Sequence, residues 1–332
     1  MNISDFAKIA GVSKSAVSRY FNDGYLSSEK RAKIENAIKS TGYAPSISAH
    51  SGKTRITKQV GVILPKLSGE SSARIIEGIT EVLNAEGYQL LLANTSNDYN
   101  KEIYFLDLFK QNKVDGVILL ATVFTDLHKR MLAKMRVPVI IVGQNIKGNS
   151  CVCHDDEGAA YALTKLMIRN GAKTPGFIGA NMSDIAAGKN RKLGFERALS
   201  EEGITFNKIF FEIAKFSIDS GYEKAQNMLS KKPLPDAIFC ATDSIAAGVL
   251  LYCREKGINV PNDIMIASIG DSRLGELAYA PLTTAHFHYK TAGISAANML
   301  LTEIKSSNVI PRTLQLDFEI VERKSTKKTE TV

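Results

Sequence analysis

From residue 59 onward, short apolar runs alternate with stretches of helical periodicity, and this alternation constrains the fold more than any other feature of the sequence. The apolar runs predict two series of four strands, at residues 60–64, 89–93, 116–120 and 139–142, then at 176–178, 209–213, 237–240 and 264–269. The stretches between them predict helices at 73–86, 103–111, 158–170, 193–202, 220–229 and 245–256. Apolar strands that alternate with helices are typical of parallel sheets covered on both faces. The sequence therefore predicts an α/β core of two lobes, each with a doubly wound parallel sheet.

Polar side chains follow several of the predicted strands at the point where each strand ends. Lys66 follows the first strand, Gln144 follows the fourth, and Asp243 and Asp271 follow two strands of the second series. Ligands of open α/β sheets bind beyond the carboxyl ends of the strands. Two lobes that face each other would place these residues around one cleft, which could close by a hinge motion.

The first 58 residues differ from the rest in charge and in pattern. They contain ten Lys and Arg against four Asp and Glu, so this segment carries +6 of the formal net charge of +8. Apolar residues at helical spacing predict three short helices, with a tight turn at residues 11–13 before a second helix that begins at Lys14. A helix, a turn and a second helix with a polar start fit the major groove of DNA. The alternative is a three-helix bundle without a ligand, which the concentrated charge disfavours.

An enzyme and an exported sugar-binding protein are the two other functional classes to consider. The sequence has no glycine-rich dinucleotide loop after the first core strand, no Walker loop and no zinc-protease or nucleophile-elbow motif. An exported protein would begin with a signal peptide where this chain has basic helices. The four cysteines lack zinc-site spacing, and we interpret them as buried reduced thiols. We therefore expect a DNA-binding regulator without a metal ion or a cofactor.

Two segments of the basic end, GVSKSAVSR at residues 11–19 and GYAP at 42–45, resemble the headpiece of the LacI/GalR family of repressors. The resemblance implies base contacts from Lys14, Ser15 and Arg19, phosphate contacts from Ser13 and Ser18, and a homodimer on a pseudo-palindromic operator. The residues expected at the DNA are Ser13, Lys14, Ser15, Ala16, Ser18, Arg19 and Asn22.

In that family the next segment, here about residues 45–54, folds into a hinge helix on DNA and inserts a leucine into the minor groove. The hinge residues implied for this chain are Ser46, Ile47, Ala49 and Gly52. The sequence departs from the family pattern, because Gly52 takes the leucine position and Ser46 takes the place of the usual asparagine. Either the operator is kinked less, or Ile47 replaces the leucine.

Four stretches of the core, at residues 154–160, 188–195, 241–244 and 281–284, resemble the effector domain of the same family. The resemblance implies a periplasmic-binding-protein-like core that binds a small effector between its lobes. Arg191 matches the family arginine that hydrogen-bonds sugar hydroxyls. The residues expected at the effector are Lys66, Gln144, Lys189, Arg191, Asp243 and Asp271. Within the family the pattern is most similar to the trehalose-operon and sucrose-operon repressors.

The charge of the effector depends on two lysines, Lys66 and Lys189. A neutral sugar needs neither, whereas a phosphate would form charge-assisted hydrogen bonds with both. This favours a phosphorylated disaccharide over trehalose or sucrose themselves. The alternative is that both lysines are solvated residues at the rim of the cleft.

The predicted organisation is a headpiece at residues 1–45, a hinge or linker at 46–58 and a core at 59–332. Within the core we expect a first lobe at about 59–153 and 285–310, and a second lobe at about 154–284 and 311–323. A turn at residues 148–154 is expected to make the first crossing between the lobes, and the last strand is expected at about residues 314–322. No apolar run is long enough to span a bilayer and no secretory signal is present, so we expect a cytoplasmic protein. No leucine heptads follow the last predicted strand, so a dimer is expected rather than a tail-driven tetramer.

Overall fold

The computed structural model describes residues 3–21, 24–43, 56–230, 232–306 and 308–327. The chain separates into two units, Met1–Ile56 and Thr57–Val332, which are called the headpiece and the core below. All four expected hinge residues, Ser46, Ile47, Ala49 and Gly52, lie outside the described residues, as does Asn22.

The headpiece contains the three predicted helices, α1 (Ile3–Ile9), α2 (Lys14–Phe21) and α3 (Ser28–Thr41). The turn between α1 and α2 has the predicted form: Gly11 adopts a φ of 63°, and the Ser13 hydroxyl accepts a hydrogen bond from the Ala16 amide at 3.2 Å. Phe6 is fully buried, and its ring stacks on Tyr43 with 4.1 Å between the centroids. This small apolar cluster holds the three helices together.

The core alternates strands and helices. Its strands are β1 (Gln59–Leu64), β2 (Gln89–Asn94), β3 (Gly116–Leu120), β4 (Val139–Val142), β5 (Ser150–His154), β6 (Pro175–Gly179), β7 (Phe211–Ile213), β8 (Ala237–Cys240), β9 (Met265–Ile269), β10 (Thr283–Phe287), β11 (Thr313–Leu316) and β12 (Phe318–Val321). Its helices are α4 (Glu70–Ala85), α5 (Tyr99–Gln111), α6 (Asp126–Leu132), α7 (Asp156–Arg169), α8 (Arg191–Glu201), α9 (Ile218–Leu229), α10 (Asp243–Glu255), α11 (Arg273–Glu276) and α12 (Tyr289–Lys305). A π-helical turn, Ile185–Asn190, leads directly into α8.

Two six-stranded sheets form the two lobes. The sheet of the first lobe has the order β11-β5-β4-β3-β1-β2, and the sheet of the second lobe has the order β12-β10-β9-β8-β6-β7. The first sheet is parallel throughout, and the second is parallel except that β12 runs antiparallel to β10. Apolar clusters cover both faces of each sheet. The predicted fold class, two doubly wound sheets behind a helical headpiece, is confirmed.

The lobe boundaries differ from the prediction in two places. Strand β10 pairs with β9 in the second lobe, although its last residues were assigned to the first lobe. Strand β11 pairs with β5 in the first lobe, although it was assigned to the second. The single final strand expected near residues 314–322 is in fact two strands, which lie in different lobes on either side of Asp317. Apolar pattern alone does not reveal which sheet each strand joins, because both are short edge strands with few buried side chains and only one residue separates them.

Two further elements differ locally from the sequence prediction. Residues 148–154 were interpreted as a turn between the lobes, but 150–154 form β5, a fully buried strand of the first sheet, before the chain crosses. The strand expected at 209–213 is shortened to β7, because a 3₁₀ turn, Lys208–Phe210, precedes it. The four cysteines are buried and free. Within the described ranges, none of the helices has the length and apolar character that crossing a bilayer requires.

Helices α4 and α12 pack against each other on the first lobe through two glycines. A Cβ on Gly293 would lie 2.0 Å from the Ile75 carbonyl oxygen, and a Cβ on Gly78 would lie 2.2 Å from the Lys290 carbonyl oxygen. The backbones of the two helices therefore touch, and neither position has room for a methyl group.

We expect Gly293→Ala to lower the free energy of unfolding of the core by about 3 kcal/mol, since the added methyl forces the two helix backbones apart. Urea unfolding followed by circular dichroism measures this change. Thr291→Ala, at an exposed position of the same helix, is the control and should change stability by less than about 0.5 kcal/mol. Equal stabilities for Gly293→Ala and the unmodified protein would contradict the close helix contact.

Candidate functional site

The headpiece presents one polar face at the start of α2. Ser13, Lys14, Ser15 and Arg19 are exposed, and the hydroxyls of Ser13 and Ser15 are 2.9 Å apart. Ser18 is half-buried. Ala16 was included among the residues expected at DNA, but it is only 4% exposed and packs into the headpiece core. The charged and hydroxyl-bearing residues expected at DNA therefore lie on the surface of the headpiece, except that Ser18 is half-buried. Ala16 is buried and is not available for contact with DNA.

A cavity of about 370 Å³ lies between the two lobes of the core, at the carboxyl ends of both sheets. Four of the six residues expected at an effector line it: Lys66, Gln144, Arg191 and Asp243. Lys189 and Asp271 do not line it. Its volume is within the roughly 300–1,000 Å³ typical of small-molecule sites.

Arg191 is the most enclosed cation of the cleft, with 6% of the residue exposed. Its Nε donates to Asp156 Oδ1 at 2.7 Å, and one terminal nitrogen lies 2.7 Å from the same oxygen. The other terminal nitrogen donates to the carbonyl oxygen of Ala241. Burial raises the pKa of the Asp156 carboxyl, and the adjacent guanidinium opposes this shift. The positive charge of Arg191 is thus neutralised within the protein.

Gln144 joins the two lobes across the cleft. Its amide nitrogen donates to the Thr122 carbonyl at 2.9 Å within the first lobe and to Asp184 Oδ1 at 2.7 Å in the second. Its amide oxygen accepts a hydrogen bond from the Ala186 amide at 3.3 Å. Burial raises the pKa of Asp184, while hydrogen bonds from Ala187 and Gln144 act against this shift.

Two further polar contacts connect the lobes beside the cavity. The ammonium group of Lys66 lies 3.5 Å from the Phe216 carbonyl oxygen, and the Arg273 amide donates to Glu70 Oε2 at 3.0 Å. Glu70 also pairs with Arg74 at 2.5 Å on the same helix. Lys66 therefore lines the cavity and also spans the gap between the lobes.

The two aspartates that were expected at the effector have different surroundings. Asp243, the first residue of α10, accepts hydrogen bonds from the hydroxyls of Ser268 and Thr284 and from the Ser272 amide, at 2.6–3.0 Å. It lines the cavity while holding the loop after β9 in place. Asp271 instead pairs with Arg323 at 2.6 Å and with His286 at 2.8 Å. Burial raises the pKa of Asp271, but these two partners outweigh that effect and leave it below its usual value.

Lys189 is exposed, whereas Arg191, two residues later, is buried. Lys189 lies in the π-helical turn and Arg191 begins α8. The two side chains therefore do not act together in the cleft. The pair of lysines on which a phosphorylated effector was predicted is not formed.

Three aromatic rings on the crossover segments line one wall of the cavity. His154 stacks on Phe287 with 4.5 Å between centroids and 4° between planes, and Tyr289 meets His154 edge-on at 5.3 Å. His154 ends β5, Phe287 ends β10 and Tyr289 begins α12, so each lies where the chain passes between lobes. Burial and the nearby Arg191 lower the pKa of His154 to about 4.

His154 Nε2 is the one buried side-chain nitrogen or oxygen among the described residues that has no hydrogen-bond partner. Because burial lowers the pKa of His154, the ring is neutral near pH 7. A neutral imidazole has one donor and one acceptor nitrogen. Nε2 is therefore an unpartnered polar atom in the wall of the cavity, open to a hydrogen bond from or to a ligand.

Sequence reasoning missed several lining residues. Asp156 was not among the residues expected at the effector. Its neighbour Asp155 caps α7, accepting from the Gly158 amide at 2.9 Å, whereas Asp156 turns toward Arg191. The sequence did contain a signal for this pair, since an acid in the stretch at 154–160 could have been paired with the arginine in the stretch at 188–195. Asp184, Phe287 and Tyr289 follow no pattern that distinguishes them from core or cap residues.

We expect acid to destabilise the core through His154. Its pKa of about 4 in the fold lies below the roughly 6.5 of an unfolded chain, so the unfolded state takes up a proton first as the pH falls. The stabilising contribution is present above about pH 6.5 and is lost towards pH 4, up to about 3 kcal/mol in total. His154→Asn removes this titration. The unfolding free energy of the unmodified protein minus that of the variant should therefore fall across this range, and a constant difference in urea titrations at each pH would refute the assignment.

Both the headpiece and the core are similar to known protein families. Residues 2–46 match the family model of bacterial regulatory proteins of the lacI family, and residues 164–326 match a periplasmic binding protein-like domain. The sucrose operon repressor of Staphylococcus xylosus is 33% identical over 318 residues, covering 96% of this chain and 98% of that protein. The transcriptional repressor PurR of Haemophilus influenzae is 31% identical, covering 98% of both.

Among solved structures, the complex of the transcriptional regulator CelR with cellobiose superposes with a TM-score of 0.76 at 26% identity, covering 98% of this chain and 99% of that one. These relatives are transcription regulators, not enzymes. With identities above 30% along nearly the whole length of the sequence, the chain belongs to the lacI family of bacterial regulatory proteins.

Proposed function

We propose that this regulator represses a sugar-utilisation operon, that it binds operator DNA as a homodimer through α2, and that a neutral sugar in the cleft controls it. The observation that carries the proposal is the cleft itself: a cavity between two lobes, enclosed by an internally neutralised arginine, several carboxylates and a wall of aromatic rings. Sequence identity does not choose the effector, since a sucrose operon repressor and a PurR are similar to this chain to nearly the same degree.

The charges around the cavity favour a neutral ligand over an anion. Among the described residues, Lys66 and Arg191 are the lining cations, and four carboxylates line the same space: Glu70, Asp156, Asp184 and Asp243. Like charges brought together in a partly desolvated site are costly. A phosphate group would meet an excess of negative charge, with Arg191 already paired and Lys189 outside the cavity.

The hydrogen-bonding groups of the cleft favour a ligand with hydroxyl groups. His154 Nε2 has no hydrogen-bond partner, and the lining carboxylates accept hydrogen bonds. A sugar hydroxyl can donate to such acceptors and accept from Lys66, while its ring carbons pack against Phe287 and Tyr289. We therefore favour a neutral disaccharide such as sucrose or trehalose over the phosphorylated forms.

The exposed face of α2 supports DNA binding. Arg19 has the donor geometry for a bidentate contact with guanine, and Lys14 and Ser15 stand at the helix start, the part that contacts base edges in helix-turn-helix proteins. The excess of basic residues in the first 58 positions supplies attraction to phosphates. As a mechanism, we infer that effector in the cleft changes the angle between the lobes and separates the two linkers of the dimer, so that the headpieces lose half-site spacing.

Calorimetric titration of the full chain tests the effector. We expect sucrose or trehalose to bind at least about tenfold more tightly than the corresponding 6-phosphate, because the phosphate meets carboxylates without a free cation pair. A tighter 6-phosphate would overturn the neutral assignment and restore the original expectation based on lysine. Lys189→Ala serves as the control and should leave the affinity of the bound sugar unchanged.

Mobility shift with DNA selected from a random pool tests the headpiece. Arg19→Ala should weaken operator binding by about 10- to 100-fold, the effect of losing one good base contact. Lys39→Ala removes one exposed charge from α3 instead and should weaken binding much less. If both variants bind like the unmodified protein, α2 is not the reading helix.

A further inference from the structure

A buried polar pair lies inside the first lobe, away from the walls of the cavity. Glu102 on α5 and His128 on α6 are both fully buried, and His128 Nε2 lies 3.1 Å from Glu102 Oε2. The Thr125 amide donates to His128 Nδ1 at 3.1 Å. Because a backbone amide only donates, Nδ1 is the acceptor of the ring, and Nε2 bears the hydrogen and donates a hydrogen bond to Glu102 Oε2.

Such a pair contributes little to folding. Taking a carboxylate out of water costs several kcal/mol, and apolar residues of similar size often serve as well or better in the same place. The hydrogen bonds of Glu102 and His128 nevertheless converge on one segment, residues 122–125. The Thr122 hydroxyl donates to Glu102 Oε1 at 3.2 Å, and the Thr125 hydroxyl lies 2.9 Å from His128 Nδ1. The ring of Phe124 stacks on His128 at 5.1 Å.

Residues 122–125 carry contacts of the first lobe with the second. The Thr122 carbonyl holds the amide of Gln144, which in turn donates to Asp184. Val123 forms an isolated antiparallel bridge with Asp184. Asp184 then accepts from the Ala187 amide at 3.0 Å, at the start of the π-helical turn that leads to Arg191. A continuous set of hydrogen bonds thus runs from the interior of one lobe to the cleft face of the other.

We propose that Glu102 and His128 are positioning residues, which fix residues 122–125 against Asp184 and thereby set how readily the lobes separate. The alternative is that the pair only joins α5 to α6 within the first lobe. The two roles predict different effects of substituting the pair. If the pair positions residues 122–125, a substitution should loosen residues 184–190 of the second lobe; if its role is local, it should not. The consequence for effector affinity rests on the proposed function, but the structural role does not.

Hydrogen–deuterium exchange of the full chain without ligand measures this reach. In the double variant Glu102→Leu/His128→Leu, peptides covering residues 184–190 should exchange about two- to tenfold faster, the factor that one net hydrogen bond makes in a local opening equilibrium. Thr122→Val, which removes one hydroxyl and keeps the side-chain shape, should give a smaller increase in the same peptides and serves if the double variant folds poorly.

Glu303→Gln is the matched control. Glu303 is also a buried carboxylate of the first lobe, on α12, and it accepts from the Ser150 hydroxyl at 2.5 Å. It should leave exchange in 184–190 unchanged. If neither the double variant nor Thr122→Val changes exchange in 184–190, or if Glu303→Gln changes it equally, the positioning role is wrong.

A sucrose titration of the same proteins keeps the two proposals separate. Faster exchange in the pair variants, together with no sugar binding to any of the proteins, would support the positioning role and count against the proposed effector. If the unmodified protein binds sugar normally and the pair variants show unchanged exchange, the proposed effector is supported and the positioning role is wrong. With both proposals correct, the sugar dissociates faster from the pair variants than from Glu303→Gln.

Discussion

The buried ion pair of Arg191 and Asp156 organises the core. It ties the start of α8 to the start of α7, and the same guanidinium reaches the Ala241 carbonyl after β8 and lies 5.5 Å from the centre of the Phe287 ring. Leaving either charge unpaired in this interior would cost roughly 3–5 kcal/mol. The chain segments that meet here are therefore held to one arrangement, and the shape of the cleft follows from it.

The wall of the cleft and the hinge of the core are made of the same residues. His154, Phe287 and Tyr289 all lie on segments that pass from one lobe to the other. A ligand that contacts these rings therefore lies against the segments that connect the lobes. A ligand that fits one arrangement of the lobes better than another stabilises that arrangement. Polar contacts such as those of Gln144 and Lys66 across the gap add to the same equilibrium.

Much of this could be predicted from local sequence, and the rest depends on distances that local sequence does not contain. Apolar runs located β1–β4 and β6–β9, and the ends of three of these strands located Lys66, Gln144 and Asp243 at the cleft. Lys189 was wrong because positions two apart in a helical segment point to different sides, so Lys189 faces solvent while Arg191 is buried. Asp271 failed because its partner, Arg323, is 52 residues away and occupies the carboxylate. The exchange of β11 and β12 between sheets had no signal at all, since one residue separates two similar apolar runs.

Under the proposed function, sugar in the cleft and operator DNA at the headpiece act on one equilibrium. Such coupling is reciprocal, so each ligand must alter the affinity for the other by the same factor. Titration of sucrose or trehalose into the free protein and into the protein saturated with operator DNA measures this coupling. Operator DNA should weaken sugar binding by about 5- to 150-fold, and the sugar should weaken operator binding by an equal factor. Equal sugar affinities for the free and DNA-bound protein would contradict it.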